Sequence, residues 1–365
     1  MPGIITHNKI LFETISYLKK EKHRSIYSKS IEVLFQTESF LKAGLFGAIG
    51  PNIFSYIPFI KKNYINGSEI SYELHSTKTE KMLKSMLNML LSYKDQNNEW
   101  ASNQRAYLYG LISHLIADSI FHPFIYYWSG FTKEKNMKEL SSSREQHILF
   151  ENNMDMFFSK YYNEDIYNNK YIFNLNDMLP VINKGWHKTL ERAVKSIIMK
   201  PVKELFPEDY KKLVFLHGNN DGNLQEFLVI DVIPFFIKLA YKLKISRNPR
   251  LIKVLNFIKK KNIFFSEYII NYPSPGKVNT HVLNLHKERW FHPTGATGLH
   301  YESVKDLLML SCQKTSSLWK KIDEILNSDK KNISAIEEEL KMNTITGIYG
   351  KDFYDMQIQN PVHLR

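Results

Sequence analysis

Three side chains that can bind a metal recur at every fourth position of the apolar segment 109–123. On a helix with 3.6 residues per turn, His114, Asp118 and His122 drift by only about 80° in total, so they share one stripe of its surface. The residues around them are apolar, which predicts that the stripe is buried. Since an unpaired buried carboxylate costs several kcal/mol, the stripe needs a partner, and a metal ion supplies one.

One ion cannot satisfy both histidines of this stripe. His114 and His122 are separated by about 12 Å along the helix axis, at a rise of about 1.5 Å per residue, whereas zinc holds an imidazole nitrogen at about 2.0–2.1 Å. Two ions with Asp118 between them, one carboxylate oxygen facing each, fit this spacing. Pro123 is expected to kink or end the helix, which would turn His122 toward the second ion.

A second histidine–carboxylate pair stands on the segment 145–160. His147 and Glu151 are one helical turn apart, and Asp155 continues the same face. Alone, such a pair is more typical of a surface hydrogen bond than of a metal site. Two sets on neighbouring apolar helices favour a metal centre, with Asp155 placed behind it to orient a ligand histidine.

The single cysteine, Cys312, limits the ligand types. One thiol cannot form an intramolecular disulfide or a cysteine-based zinc site, so the ligands must be histidine and carboxylate side chains. We interpret Cys312 as a small buried apolar residue. The formal net charge of +12 favours anionic partners, whether phosphate groups, acidic membrane surfaces or nucleic acid.

Helical periodicity dominates the elements that must position these residues. Glycine and proline are sparse, at 15 and 13, which suits long helices better than many short strands. We therefore predict an all-α fold, a compact multi-helix bundle with the metal cluster between helices. The segments with apolar residues at three- and four-residue spacing are 8–20, 28–46, 79–93, 103–122, 145–160 and 302–327.

A strongly basic segment, 238–261, holds nine Lys or Arg and no acid. It fits a helix lying on an anionic membrane surface, although a solvated helix face is the simpler interpretation. The apolar stretch 227–237 is too short to span a bilayer, which takes about 20 residues, and the amino-terminal residues lack the pattern of a signal peptide. We therefore expect a cytoplasmic protein without a transmembrane segment. The apolar stripe beside the basic residues consists of Leu251, Val254, Leu255 and Ile258.

The order of these motifs resembles the zinc-dependent phospholipase C superfamily, which also contains single-strand nucleases, and is most similar to a bacterial branch of it. Order and rough spacing agree over residues 1–151, and a late motif extends the likeness to about residue 310. The matching pieces are Met1-Pro-Gly-Ile-Ile-Thr-His7, Gly47-Ala-Ile-Gly-Pro-Asn52, His75, His114-x3-Asp118-x3-His122-Pro, His147-x3-Glu151 and Leu283-Asn-Leu-His-Lys-Glu-Arg-Trp290-Phe-His-Pro-Thr-Gly295.

The resemblance implies a site for two or three zinc ions. Carried over by position, it gives the first ion Asn52, His75, His114 and Asp118, the second ion His122, His147 and Glu151, and the third ion His7, Asp118 and the amino terminus of the chain.

One position departs from the family pattern. Members carry Asp after the Gly-Pro pair, where this chain has Asn52. In the family that Asp is a metal ligand and the favoured general base, so the resemblance makes Asn52 and Asp118 the candidate catalytic residues. An amide oxygen can bind a metal but cannot accept a proton at neutral pH. We therefore expect a ligand without a base at this position.

The activity that the resemblance implies is metal-dependent hydrolysis of a phosphodiester by zinc-activated water, with phospholipid favoured over nucleic acid as the substrate. Two alternatives stay open: a nuclease-type phosphodiesterase, and a non-catalytic helical protein that zinc stabilises, which Asn52 motivates. The expected organisation is a phospholipase C-like helical domain over residues 1–310, with a helical tail over 311–365 packed on it.

Overall fold

A computed structural model of the chain describes residues 3–21, 24–57, 67–134, 137–163, 188–218, 224–228, 233–245, 248–260, 270–273, 277–329, 331–362 and 364. Helices dominate these ranges and confirm the predicted all-α class. In chain order the helices are α1 (Ile4–Lys20), α2 (Ile26–Gln36), α3 (Glu38–Gly47), α4 (Gly67–His75), α5 (Thr79–Leu91), α6 (Glu99–Ser129), α7 (Met137–Asn163), α8 (Lys188–Leu205), α9 (Pro207–Leu213), α10 (Ile233–Ile245), α11 (Pro249–Lys260), α12 (Val304–Asn327) and α13 (Glu337–Leu340).

Shorter elements complete the described chain. A 3₁₀ helix, Gly50–Tyr56, follows α3. Two small antiparallel hairpins pair β1 (Val214–Gly218) with β2 (Leu224–Leu228), and β3 (Trp290–Phe291) with β4 (Leu299–His300). Neither hairpin extends into a larger sheet within the described residues, so the core is built by helices.

Helix α6 is the axis of the fold. It is apolar or buried on nearly every side, and α1, α3, α7, α8 and α12 pack around it. The side chain of Asn98 caps its first turn by accepting the N–H of Ala101 at 2.9 Å, and Gly130, with φ 77°, follows its last turn. By length and composition α6 could cross a membrane, but 94% of its most apolar window is buried inside the protein, as in a core helix.

Helices α3 and α6 approach so closely that glycine is needed at their contact. A Cβ atom at Gly110 of α6 would lie 1.9 Å from the carbonyl oxygen of Gly44 in α3. This close approach brings the end of α3 beside the metal-binding stripe, where the Ala48 carbonyl oxygen lies 2.9 Å from Nδ1 of His114.

Two expectations about helix ends are wrong. The predicted helix 28–46 is two helices, because Thr37 adopts an extended conformation (φ −81°, ψ 124°) between α2 and α3. Pro123 does not end α6, which continues to Ser129; the alternative expectation, a kink at Pro123, stays a prediction. Proline has no N–H for the carbonyl of Ser119 one turn earlier, and Gly347 of the carboxyl-terminal segment packs directly against that oxygen.

The division predicted between residues 310 and 311 falls inside α12. This helix runs from Val304 to Asn327 and packs against α1 and α6. The two-part organisation stays a prediction, and the structure adds that the proposed tail begins within a core helix.

An alanine substitution, which adds one methyl group, tests whether the close contact between α3 and α6 requires glycine at position 110. We expect Gly110→Ala to lower the free energy of unfolding by about 3 kcal/mol, because the new Cβ forces the two helices apart. Gly298→Ala is the matched control, since a Cβ there would meet no atom of the described chain within 4 Å, and it should change stability by less than about 0.5 kcal/mol. Urea unfolding measures both, and equal effects would contradict the close-approach interpretation.

Candidate metal centre

The stripe on α6 is buried, as the sequence predicts. His114, Asp118 and His122 expose 0%, 0% and 1% of their surface. Other helices bring further ligands to this stripe: α1 carries His7 and α4 ends in His75. The residues form two groups, the Asp118 cluster (His7, His75, His114 and Asp118) and the His122 cluster (His122, His147 and Glu151).

Three imidazoles surround one carboxylate in the Asp118 cluster. Oδ2 of Asp118 lies 3.1 Å from Nε2 of His114 and 3.5 Å from Nε2 of His75. The other oxygen, Oδ1, lies 3.3 Å from Nε2 of His7. From the spacing along α6 we expected the second carboxylate oxygen of Asp118 to face an ion bound by His122. The structure directs it to His7, the pairing that the family resemblance implies for a first and a third ion.

The separations in this cluster fit a single tetrahedral ion. Nε2 of His75 and Nε2 of His114 are 3.0 Å apart, and both lie beside Oδ2 of Asp118. Two ligand atoms bound to one zinc at about 2.0–2.1 Å with tetrahedral angles stand about 3.3 Å apart. These three side chains therefore already stand at the mutual distances of three zinc ligands.

Backbone carbonyls fix which nitrogen of each ring faces the cluster. Nδ1–H of His114 donates to the carbonyl of Ala48 at 2.9 Å, and Nδ1–H of His75 donates to the carbonyl of Ser71 at 2.6 Å. With the proton on Nδ1, each ring in its neutral form presents the lone pair of Nε2 to the cluster. Two lone pairs 3.0 Å apart beside a carboxylate oxygen repel one another, and a cation between them removes that repulsion.

The His122 cluster combines α6 with α7. One ligand atom from each of His122, His147 and Glu151 lies within 4.8 Å of the others. Nε2 of His147 is 2.9 Å from Oε1 of Glu151. The ring of His122 lies 5.7 Å from that of His147, centroid to centroid, and its Nδ1–H donates to the carbonyl of Thr344. The His122 cluster is thus the set that the resemblance implies for the second ion.

Burial sets the charge state of both clusters. It lowers the pKa of His7 to about 4 and that of His75 to about 3, and it lowers the pKa of His122 as well. Burial alone would raise the pKa of Asp118, but attraction to positive charge at the imidazoles of His114, His122 and His7 outweighs it and lowers that pKa well below its usual range. When the rings are neutral, a bound cation would supply that positive charge. Neutral imidazoles beside an ionised carboxylate are the protonation states that metal ligation requires.

Several ligand atoms need a partner that the protein does not supply. Both oxygens of Asp118, Nε2 of His7 and Nε2 of His122 are buried and make no hydrogen bond within the part of the chain that the structure describes. Buried polar atoms normally have a partner, and these atoms converge. The donor set, imidazole nitrogen with carboxylate oxygen, is the one that zinc accepts, so the residues fit the metal.

Gly50 lets the chain pass the ring of His114 and carry Asn52 to the site. Its φ is 66°, and a Cβ there would lie 2.3 Å from Cδ2 of His114. Pro51 then starts the 3₁₀ helix, which presents Asn52 to a small cavity of about 90 Å³ that His7 and Glu151 also line. Among the described residues, the amide oxygen of Asn52 has no hydrogen-bond partner, so it is available as a ligand.

Asp155 accepts hydrogen bonds from the first turn of α1, whereas we expected it to orient a histidine ring. Its Oδ1 accepts the N–H and the hydroxyl of Thr6, at 2.9 and 2.7 Å, and its Oδ2 accepts the hydroxyl of Tyr272 at 2.9 Å. A carboxylate at a helix amino terminus is favourable. The expected supporting role therefore takes another form: Asp155 positions the backbone of the residue next to His7.

The third ion of the resemblance would also use the amino terminus. Residues 1 and 2 lie outside the described residues, so that ligand remains a prediction. His7, its other expected ligand, does lie at Oδ1 of Asp118.

A larger cavity, of about 460 Å³, opens onto the His122 cluster. His75, His122, His147 and Glu151 line it together with hydroxyl, aromatic and charged side chains. Its volume lies within the range of small-molecule sites. The remaining polar and aromatic lining includes Ser55, Ser68, Glu69, Ser71, Tyr72, Tyr126 and Arg144.

The groups that orient the histidine rings were not predicted from the sequence. The carbonyls of Ala48, Ser71 and Thr344 orient three histidines, and a backbone carbonyl leaves no signature in a sequence. Gly50 had a signal, its place in a Gly-Pro pair, but the reason for it, contact with His114, needs the fold.

Comparison with known proteins agrees with this geometry. The family described as zinc dependent phospholipase C matches residues 6–205, a span that contains every ligand of both clusters. The late motif at 283–295 and the carboxyl-terminal segment lie outside it. Among curated proteins and among solved structures, no significant match to the chain is found.

The metal-free protein should lose stability as the pH falls below 6.5. The pKa values of His7 and His75 are about 4 and 3 in the folded chain, against an ordinary value of 6.5. Between those values the unfolded chain binds more protons, so stability is complete above pH 6.5 and declines toward pH 4, by about 2 to 4 kcal/mol for each group.

Urea unfolding in a chelator across this pH range measures the effect. His7→Gln should reduce the slope by about one proton, whereas the same change at the exposed His286 should leave it as it is. A wild-type stability that does not depend on pH between 4 and 6.5 would show that the buried histidines are not held neutral by the fold.

Proposed function

This chain belongs to the zinc-dependent phospholipase C family, and from that membership and its two ligand clusters we propose that it hydrolyses the phosphodiester of a phospholipid. The observation that carries the proposal is the convergence of imidazoles and carboxylates in two groups beside one cavity. Ligand atoms of His7, His114 and Asp118 lie within 4.8 Å of one another, and so do those of His122, His147 and Glu151. Two or three zinc ions are the proposed cofactor, held by the Asp118 cluster and the His122 cluster.

The chemistry divides between metal and protein. Zinc, when bound, lowers the pKa of a coordinated water toward about 7 and polarises phosphoryl oxygens. The protein holds the ligands in advance, since the carbonyls of Ala48 and Ser71 lock the rings of His114 and His75. Because these rings need little rearrangement, the site keeps its geometry as charge develops on the phosphate.

The larger cavity supplies groups that suit a phosphodiester. Arg144 lines it, and a guanidinium matches phosphate oxygens in a planar, bidentate arrangement. Burial raises the pKa of Tyr126, which keeps its hydroxyl protonated and able to donate. The volume, about 460 Å³, suits a phosphorylated headgroup, so the acyl chains of a lipid substrate would stay outside.

Asn52 decides how a proton is removed. Its amide oxygen can bind a metal, but it cannot act as a base. With Asn52 in place of a carboxylate, no side chain at this position would take the proton, so the proposed hydrolysis would rely on the chemistry that zinc supplies when it is bound. Asp118 would hold the ion and would not take the proton. We expect the wild type to be active and slower than a variant with a base at this position.

Hydrolysis of an aryl phosphodiester and of phosphatidylcholine vesicles, with zinc added back, tests the proposal. His114→Ala should lower kcat/KM by more than about 100-fold, because losing a ligand costs more than the 10–100-fold typical of its outer partners. His286→Ala, at an exposed position away from the ligands, is the control. Wild-type rates no higher than those of His114→Ala would exclude hydrolysis of these substrates.

Asn52 favours one competing function, a protein that zinc stabilises without turnover. Asn52→Asp separates the two. If the wild type binds zinc and is inactive while Asn52→Asp hydrolyses the same substrates, the chain is a structural member of the family. Activity in both, greater in Asn52→Asp, supports the hydrolase.

We also propose that the basic segment 238–261 contacts an anionic membrane. It forms α10 and α11, which pack on each other and on the 3₁₀ helix that carries Asn52. Large apolar side chains are nevertheless exposed on both helices, 53% for Phe235 and 60% for Phe257. The exposed ring of Phe257, in a segment with nine Lys or Arg and no acid, favours lipid over nucleic acid.

Vesicle sedimentation tests this contact. Phe257→Ser should weaken binding to phosphatidylglycerol vesicles by about tenfold, since the free energy of burying one aromatic ring exceeds 1.4 kcal/mol. Val33→Ser, at an equally exposed position of α2, should have no effect, and neither variant should bind phosphatidylcholine alone tightly. Equal losses in both variants, or tighter binding to single-stranded DNA than to vesicles, would contradict the proposal.

A further inference from the structure

We infer that the carboxyl-terminal segment 343–347 is an integral part of the metal centre, with Thr344 as the positioning residue that connects its two clusters. This segment lies outside residues 6–205, the span that matches the family, and no motif in it points to metal chemistry. The inference rests on zinc binding and not on turnover.

Thr344 contacts one histidine of each cluster. Its carbonyl accepts the Nδ1–H of His122, which leaves Nε2 of that ring as the nitrogen that faces the His122 cluster. Its N–H and its hydroxyl both donate to the carbonyl of His75, at 2.9 and 2.8 Å. Thr344 is completely buried, so water does not compete for these three bonds.

The turn around Thr344 is shaped to make these contacts. The side-chain oxygen of Asn343 accepts the N–H groups of Ile345 and Thr346, at 2.9 and 3.0 Å, and its amide donates to the carbonyl of Lys351 at 2.8 Å. Gly347, with φ 73°, ends the turn against the carbonyl that Pro123 leaves without an N–H. The turn is therefore anchored against Ser119 and Pro123, on the turn of α6 that carries His122.

The chain that follows this segment, as far as residue 362, attaches the turn to α6. The N–H groups of Asn360 and Val362 donate to the carbonyls of Tyr127 and Trp128, which the end of a helix leaves without partners. Ile345 lines the larger cavity, and the ring of Phe353 packs 5.8 Å from that of Tyr126, which lines it too. Residues 345–353 thus lie along one side of the larger cavity.

This arrangement gives Thr344 a definite effect on metal binding. An acceptor behind a ligand histidine fixes its tautomer and its orientation, and loss of such a partner lowers metal affinity by about 10–100-fold. The carbonyl of Thr344 cannot be deleted by mutation, but the hydroxyl is one of the two donors that anchor this residue to the carbonyl of His75. Removing that hydroxyl should disturb His122 through the backbone.

The test compares two buried threonines of one turn. Thr344→Val removes the hydroxyl bond to the carbonyl of His75 and keeps the N–H bond to it. Thr346→Val removes hydroxyl bonds to the carbonyls of Ile348 and Lys351 and touches no ligand histidine. Zinc affinity is measured on the full chain by competition with a chelator, and histidine ¹⁵N NMR shows which rings load. We expect Thr344→Val to weaken zinc at His122 by about tenfold or more, Thr346→Val by less than about twofold, and Thr344→Ser to restore the wild-type affinity.

Two results would overturn the inference: equal zinc affinities for Thr344→Val and Thr346→Val, or a wild-type spectrum in which His122 carries its proton on Nε2. The spectrum needs no variant, so it decides the matter even if a substitution prevents folding. Zinc is titrated without substrate, and the outcome is therefore independent of whether the protein hydrolyses a phospholipid.

Discussion

The structure depends on one buried carboxylate. Asp118 is completely inaccessible on the central helix, and its oxygens face three imidazoles rather than a lysine or arginine. An ionised group in such a place is costly unless it is paired, and neutral rings that offer lone pairs do not pair with it. A cation at this point would satisfy the carboxylate. Three helices, α1, α4 and α7, and the Gly50–Tyr56 segment bring ligand atoms to α6, and those of His75, His114 and Asp118 stand at the separations of a zinc site.

The local sequence pattern predicted the metal ligands that α6 contributes, but it predicted few of the groups that surround and orient them. The spacing of His114, Asp118 and His122 fixes one face of a helix, and their apolar neighbours fix its burial, so the stripe was predictable. The groups that aim those rings are carbonyls from distant parts of the chain, and contacts of that kind carry no local signal. For the same reason, the sequence did not predict that Gly347, more than 200 residues after Pro123, packs against the carbonyl that this proline leaves without an N–H.

The fold class was equally predictable, and its details were less so. Sparse glycine and proline with helical periodicity indicate an all-α bundle. The break at Thr37 was missed because an apolar pattern can continue across a single extended residue. The sequence also could not predict the surroundings of Asn52. The structure places its amide in the smaller cavity, which His7 and Glu151 also line, and an amide there can bind a metal but cannot accept a proton.

Anomalous diffraction at the zinc edge, from crystals of the full chain soaked in zinc, tests the central claim most directly. We expect separate peaks in the two clusters, one bound by Nε2 of His75 and His114 with Asp118, and one by His122, His147 and Glu151. An additional peak between His7 and Oδ1 of Asp118 would be the third ion. A single peak, or zinc only at surface histidines such as His286, would contradict it, because the buried carboxylate would then be stabilised by something other than a metal.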